Sequence, residues 1–397
     1  MKKVYGFGII GAGEILSDHA LSLQALKSRA RFIGLSDIDS ARLKRASNRF
    51  FVPFTYTDYK ELLKRSDIDI IVVATPPSTH EELVFESLNA GKHVICEKPL
   101  AHTLESADRI IEYAAKRPNK LAVCYQVRYM PAVQRVIWLR DRGMMGKLQS
   151  GNFLRVTPMS AVSDWWGKWD IAGGGVVMTQ FIHQLDIMLN IFGKPVSVYA
   201  RMDTFQQNIE SEDSFVATVE FENGALVNCS ATINAHRLKT QFDVIGDMAS
   251  AHFPWTLCSK DSRHLRAMTR AMVEAKLISG FQNQGLVSSL TGKIRSQFGA
   301  DGIPAKVLRK ILPKLGINFQ IVGEPPLHKT LIEAFLDALD EDGEVPVSAE
   351  DARRSLELCT AIYTSAIMGE SVSLPLQKST PFYKGITASE YQKRKSY

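Results

Sequence analysis

The chain has 397 residues, 45% of them hydrophobic and 23% charged, enough apolar material for the cores of two ordinary domains, which excludes a disordered tail or a peptide scaffold. The net charge is +6, but 11 basic and 3 acidic residues fall between Lys260 and Lys314, so that stretch carries +8 and the remainder −2; a charge confined to one segment with few aromatics argues against nucleic acid as a partner. Five cysteines, far apart and odd in number, form no C-x-x-C pair and point to reduced thiols in a cytoplasm, with neither a disulfide framework nor a zinc knuckle.

The start of the chain, Met1-Lys2-Lys3 followed by an apolar run, imitates a signal peptide, but Glu14 and Asp18 follow at once and no small-x-small cleavage site closes the run. No apolar stretch elsewhere reaches the roughly 20 residues that span a bilayer. Short apolar runs at 4–10, 32–35, 68–74 and 94–96 alternate with amphipathic stretches at 15–26, 41–48, 81–89 and 106–115. This pattern predicts a parallel sheet covered on both faces by helices. Ser78 or Thr79 is the expected cap of the helix near His80, and Gly91 its end. A last strand of this half is expected at 121–125.

From about Leu148 the texture changes to longer alternating segments at 196–202, 214–221, 226–233 and 241–245, with Glu222-Asn223-Gly224 as a hairpin turn. These predict a large, mostly antiparallel sheet. Residues 259–318 fit neither pattern: Ile303, Val307, Leu308, Ile311, Leu312 and Leu315 form one helical face and Lys306, Arg309, Lys310 and Lys314 the other. This reads as a basic helical insertion, with three uses open: a solvated helix on the second domain, an oligomer contact, or an arm for an anionic membrane or acidic partner. Two helices close the chain, at 329–339 and 349–368.

Three constellations carry chemistry. In Gly8-Ile9-Ile10-Gly11-Ala12-Gly13-Glu14-Ile15-Leu16 a strand runs into a glycine turn and a helix. Gly11 allows the tight turn, Gly13 lets the backbone approach a pyrophosphate, and the helix N-terminus offers N–H groups to it. Leu16 stands where a third small residue is usual. Asp37, at the end of the second strand, suits both ribose hydroxyls and repels a 2′-phosphate, so NAD is favoured over NADP. Ala74-Thr75-Pro76-Pro77-Ser78-Thr79-His80 follows a buried strand and makes either a rigid dinucleotide-side loop or a plain connector, with His80 reading as a structural residue. Glu97-Lys98-Pro99 also closes a strand; a lysine held there can stabilise the alkoxide that precedes hydride loss.

These residues, with A-G-K-H-V-I-C-E-K-P-L-A at 90–101 and G-G-G-V-V-M-T-Q-F-I-H-Q-L-D at 173–186, closely resemble the glucose-fructose oxidoreductase and inositol dehydrogenase family (Gfo/Idh/MocA); Ser365 and Val372-Ser373-Leu374-Pro375 resemble the family's end. The resemblance implies an α/β protein: a Rossmann NAD(P)-binding domain at 1–125, then an α+β substrate and oligomerisation domain at 126–397. It implies a homodimer or homotetramer and nicotinamide chemistry on sugars, cyclitols or their relatives. Lys98 matches the family's catalytic lysine and His183 its proton-transfer partner; Thr179 stands where an Asp is common. The cofactor is then expected along Gly11, Gly13, Glu14, Ile15, Asp37, Thr75, Pro76, His80, Glu97, Lys98 and Gln126. The substrate is expected along Lys98, Arg128, Trp166, Lys168, Thr179 and His183, where aromatic faces and a cation suit a sugar ring bearing an acidic or phosphorylated group.

Other readings stay open on the residues alone. His183 with Asp186 one turn on could be a satisfied core pair or half a metal site, although no metal is expected because no second His or Cys lies at ligand spacing. The tryptophans at 165, 166 and 169 could be an interdomain wedge. The function expected is an NAD-dependent dehydrogenase or ketoreductase, with an NAD-retaining glycoside hydrolase and a non-catalytic dinucleotide sensor as rivals.

Overall fold

The computed structural model describes residues 3–159, 165–235, 240–253, 256–259, 261–275 and 326–393. Six parallel strands, β1 (Tyr5–Ile10), β2 (Ala30–Ser36), β3 (Phe54–Tyr56), β4 (Ile70–Val73), β5 (His93–Glu97) and β6 (Leu121–Cys124), form the first sheet in the order β3-β2-β1-β4-β5-β6. Every residue of β1, β4 and β6 is buried, as expected of strands with helices on both faces. The leader-like apolar run is therefore a central strand. Strand order reverses between β1 and β4, so a crevice for a ligand opens at their carboxyl ends.

Helices α1 (Leu16–Ala25), α2 (Ser40–Phe50), α3 (Tyr59–Leu63), α4 (His80–Asn89) and α5 (Leu104–Ala114) cross between these strands. Asp39 caps α2 and Thr103 caps α5 through their side chains. The cap expected at Ser78 or Thr79 is not formed. Thr79 donates its hydroxyl to the Pro76 carbonyl at 2.8 Å and to Thr75 Oγ1 at 2.7 Å, and a 3₁₀ turn at Pro77–Thr79 runs directly into α4. The loop's own hydrogen bonds win that hydroxyl. Gly91 ends α4 at φ +72°, in the left-handed region.

The second sheet holds β7 (Leu148–Val156), β8 (Pro195–Asp203), β9 (Ser214–Phe221), β10 (Leu226–Thr232), β11 (Gln241–Gly246), β12 (Ala249–Phe253), β13 (Thr256–Ser259) and β14 (Val372–Ser373), in the order β13-β12-β11-β7-β10-β9-β8-β14. It is mostly antiparallel, with β7 and β10 parallel. Residues alternate buried and exposed along β9, so one face is covered and the other is open. The remaining helices are α6 (Pro131–Asp141), α7 (Trp169–Ala172), α8 (Ile182–Phe192), α9 (Ser262–Glu274), α10 (Leu327–Asp340), α11 (Ala349–Met368) and α12 (Ala388–Lys393).

The first sheet, and the second except the last two residues of β13, belong to one compact unit, residues 1–257 and 326–397. Helix α11 accounts for this, because it packs on α8 and β8 of the second layer and on α5 of the first; Arg353 Nε on α11 meets Asp108 Oδ1 on α5 at 2.6 Å. Ser365 on the same helix accepts from the Ala200 N–H of β8 and donates to the Glu370 carbonyl. Residues 258–325 make a second unit, of which α9 is the described helix; the basic face foreseen at 303–315 lies outside the described residues. Among the described residues no helix is long and apolar enough to cross a membrane. All five cysteines are free, with Cys258 exposed and the others buried.

Candidate active site

At the switch point the glycine turn divides its labour between two residues. Gly11 has φ +110°, and a Cβ there would lie 2.3 Å from the Ala74 carbonyl oxygen, so close β1–β4 packing requires glycine. A Cβ on Gly13 would meet nothing within 4 Å, which is open space of the kind a pyrophosphate fills. Helix α1 begins at Leu16 with no side-chain cap from Ile15; the Leu16, Ser17 and Asp18 N–H groups close turns onto the Gly13, Glu14 and Ile15 carbonyls at 3.2, 3.4 and 3.1 Å, and the positive end of the helix dipole faces the turn. Glu14 is exposed and Ile15 half-buried beside that opening. Leu16 is buried, and the turn forms despite it. The Asp37 carboxylate accepts from the Ala12 N–H at 2.6 Å and from the Asp39 N–H at 2.8 Å. It is thereby fixed beside the turn, where it disfavours a second anion. These residues fit a dinucleotide without a 2′-phosphate.

His80 is buried, and its ring nitrogens lie 2.9 Å from the Thr75 and Pro99 carbonyls. It staples the 74–77 loop, Pro76 included, to the Lys98-Pro99 turn; burial lowers its pKa despite those carbonyls. This is the structural part foreseen for it. The Lys98–Pro99 peptide bond is cis. Glu97 is buried, with His19 Nε2 at 2.8 Å and His328 Nε2 at 3.6 Å from its Oε1. Burial opposes its charge, but the two histidines outweigh that and hold the carboxyl well below the usual carboxylate range. Potential ligand atoms of His19, Glu97, Cys124 and His328 all lie within 4.8 Å of one another. Ligand spacing along the chain concealed this cluster, since its members come from four separate elements. A histidine on the inward stripe of α1, among Leu16, Ala20 and Leu23, was the available signal.

The ammonium of Lys98 donates to the Thr179 carbonyl at 2.8 Å; burial pushes its pKa down, and Arg155 adds to this against the charge of Glu97. Thr179 serves through its backbone. Its hydroxyl donates back to the Gly175 carbonyl four residues earlier at 2.7 Å, and Val177–Phe181 is a π-turn ahead of α8, not the plain α-helix that the four-residue spacing to His183 assumed. His183 is buried with its Nδ1 unpartnered. Burial first, then the charges of Lys98 and Arg155, hold its pKa well below the ordinary 6.5. The core pair with Asp186 does not form: Arg128 takes both oxygens of Asp186, at 3.0 and 2.5 Å, and also reaches Asp351 at 3.0 Å.

Arg128, expected on the substrate side, thus has its charge matched by two carboxylates. Trp166 is buried and Lys168 exposed ahead of α7. Trp169 packs against Tyr363 and Tyr391 at 5.1 and 5.2 Å between ring centroids and donates to the Glu210 carbonyl, so this tryptophan is core. Gln126 opens a 3₁₀ turn after β6, and its Oε1 is buried without a partner, as are Gln184 Oε1 and Thr157 Oγ1. Such unmatched atoms are costly unless a ligand or water meets them.

Two residues that sequence reasoning passed over complete the site. Glu212 is fully buried and accepts from the Gly175 and Val177 N–H groups, at 3.1 and 2.8 Å, and from the Tyr363 hydroxyl at 2.9 Å. It anchors the segment that carries Thr179 and His183. Arg155, on β7, reaches Gln180; a cation two residues after inward-facing Phe153 was its period-two signal.

Comparison with known proteins agrees with both halves. A family model described as an oxidoreductase family with an NAD-binding Rossmann fold matches residues 5–125, and the Gfo/Idh/MocA C-terminal domain matches 133–252. Inositol 2-dehydrogenase 2 of Saccharopolyspora erythraea is 27% identical over 267 residues, 64% of this chain and 75% of that protein. Levoglucosan dehydrogenase of Pseudarthrobacter phenanthrenivorans is 25% identical over 408 residues, 93% of this chain and 97% of that protein. The solved WlbA dehydrogenase of Bordetella pertussis, in complex with NADH and UDP-GlcNAcA, shares the fold at a TM-score of 0.73 and 21% identity, covering 95% of this chain and 100% of that one. With the NAD-binding Rossmann model matching the first sheet and the C-terminal domain model matching the second, the chain belongs to the Gfo/Idh/MocA family of oxidoreductases.

Proposed function

We propose that the protein is an NAD-dependent dehydrogenase that interconverts a secondary alcohol and a ketone on a sugar, a cyclitol or a derivative of either. The observation that carries this is the meeting of Lys98, at the carboxyl end of β5, with the Thr179–His183 segment of the second layer. The inositol and levoglucosan dehydrogenases among its relatives support the substrate class. Bound NAD supplies the hydride acceptor in oxidation and, as NADH, the donor in reduction. The chain's own groups manage the proton. His183, neutral because burial and nearby cations disfavour its imidazolium, accepts the hydroxyl proton in oxidation and returns it in reduction. The Lys98 ammonium, steadied by the Thr179 carbonyl, stabilises the negative charge that develops on the substrate oxygen. The open face of the second sheet, with exposed Tyr199, Val216 and Leu226, is the subunit contact in this reading.

The test is Lys98→Met assayed on a polyol panel, with NADH binding followed by fluorescence. Turnover should fall by roughly 10²–10⁴-fold with NADH affinity nearly intact. A variant turning over at the wild-type rate overturns the assignment, and wild-type protein that binds NADH tightly but oxidises nothing favours the sensor.

A further inference from the structure

The site contains an arginine whose charge the described residues leave unmatched. Arg155 lies on β7 two positions after Phe153, and so on the same face of the strand; Phe153 packs against Phe192 of α8, with ring centroids 6.4 Å apart. The Arg155 side chain therefore enters the layer between sheet and helix. Its Nη2 reaches Gln180 Oε1 at a long 3.4 Å, and Nε is buried without a partner. Burial alone lowers its pKa, and no described carboxylate pairs with it. The contrast with Arg128, clamped by Asp186 and Asp351, is direct.

A largely buried guanidinium without a counter-charge is expensive to keep, and its charge also bears on Lys98 and His183. Thr157, just past the end of β7, presents another unpartnered buried oxygen. We propose that Arg155 anchors an anionic group of the substrate, a carboxylate or a phosphate ester, so that the enzyme acts on acidic sugars in preference to neutral polyols. The planar fork of arginine suits either anion through two parallel hydrogen bonds. The anchor rests on the dehydrogenase reading for its catalytic consequence and on the Arg155 surroundings for its charge preference.

The experiment measures binding to the enzyme–NADH complex by calorimetry, and kcat/KM with NAD, for D-glucuronate, D-glucose 6-phosphate and D-glucose. At least one anion should be preferred over glucose by about a hundredfold, with binding that weakens as salt rises. The preferred anion identifies carboxylate or phosphate as the group held. Arg155→Gln should bring the anion-to-neutral ratio near one, and Arg155→Lys should keep part of it. Wild-type parity among the probes, no binding of either anion at millimolar concentration, or a ratio unchanged in Arg155→Gln overturns the anchor. Arg155-dependent anion binding without turnover of any probe overturns the dehydrogenase reading and leaves the anchor standing; turnover without anion preference does the reverse.

Discussion

The cofactor side and the substrate side of this molecule are built on different principles. Each element proposed for the cofactor is a strand, a turn and a helix within a few residues: Gly11 and Gly13 after β1, Thr75 to His80 after β4, and Glu97 at the end of β5 with Lys98 and Pro99 after it. The proposed substrate side gathers Lys98, Arg155, Thr179, His183 and Glu212 from parts of the chain up to 114 residues apart. Its chemistry is set by charges that meet only through space. Two buried glutamates show the difference. Glu97 stands among histidines, which outweigh its burial and keep it ionised. Glu212 is met by two N–H groups and a hydroxyl, no cation among the described residues balances its burial, and its pKa is pushed up to about 7.

That comparison can be tested, beginning with the largest effect. His183→Asn should cost roughly 10²–10⁴ in turnover with NADH affinity unchanged. In the wild type, the acid limb of the kcat/KM profile for alcohol oxidation should lie below pH 6.5, the direction in which burial shifts this histidine. A limb above 6.5 would remove His183 as the buried base.

The glutamates come next, with opposite signs. Glu212 is raised in the folded state from 4.5 to about 7, so the native form holds a proton that the unfolded chain has released. Its contribution is present below pH 4.5 and lost as pH rises towards 7, about 3 kcal/mol in all. Urea unfolding at pH 5 and pH 8 should show the wild type losing more stability than Glu212→Gln across that interval. Glu97 is depressed, so its contribution is complete above pH 4.5 and disappears only as pH falls below it. Equal pH slopes for wild type and Glu212→Gln would make the two glutamates alike.

Smaller effects sharpen the cofactor side. Asp37→Ala should lower the preference for NAD over NADP by roughly tenfold to a hundredfold, measured as a ratio of kcat/KM values. Gly13→Ala should change unfolding free energy by less than about 0.5 kcal/mol, since its Cβ meets no protein atom, yet weaken NADH by roughly tenfold. Gly11→Ala should instead lower stability, because its Cβ would strike the Ala74 carbonyl. If Gly13→Ala binds NADH normally, the open space beside the turn is not the pyrophosphate's.

How far the site could be read in the residues follows the same line. Lys98 and His183 were visible as motif positions, and the structure places Lys98 against the segment that carries His183. The part given to Thr179 was not visible, because the spacing to His183 shows neither that its carbonyl meets the Lys98 ammonium nor that its hydroxyl bonds back to Gly175; the chain forms a π-turn there, where a four-residue spacing implies an α-turn. Arg128 looked like the cation for an acidic substrate; in the fold its charge is matched, whereas Arg155 has no carboxylate partner among the described residues. The thiols are unpaired as their spacing indicated. The expected boundary at 125 corresponds to the end of β6, yet α11 ties both sheets into one compact unit.

By itself the sequence determined the elements of the first sheet other than the short β3 and α3, its parallel character and the cofactor, because hydrophobic periodicity and strand–turn–helix motifs act over a few residues and need no distant partner. The tertiary structure alone decided which charges are matched: that Arg128 is held by two carboxylates, that Arg155 meets no carboxylate among the described residues, that Glu97 is held ionised and that Glu212 is pushed up to about 7. The physical reason is that the energy of a buried charge depends on what the fold places within a few ångströms of it, and those neighbours come from elsewhere in the chain.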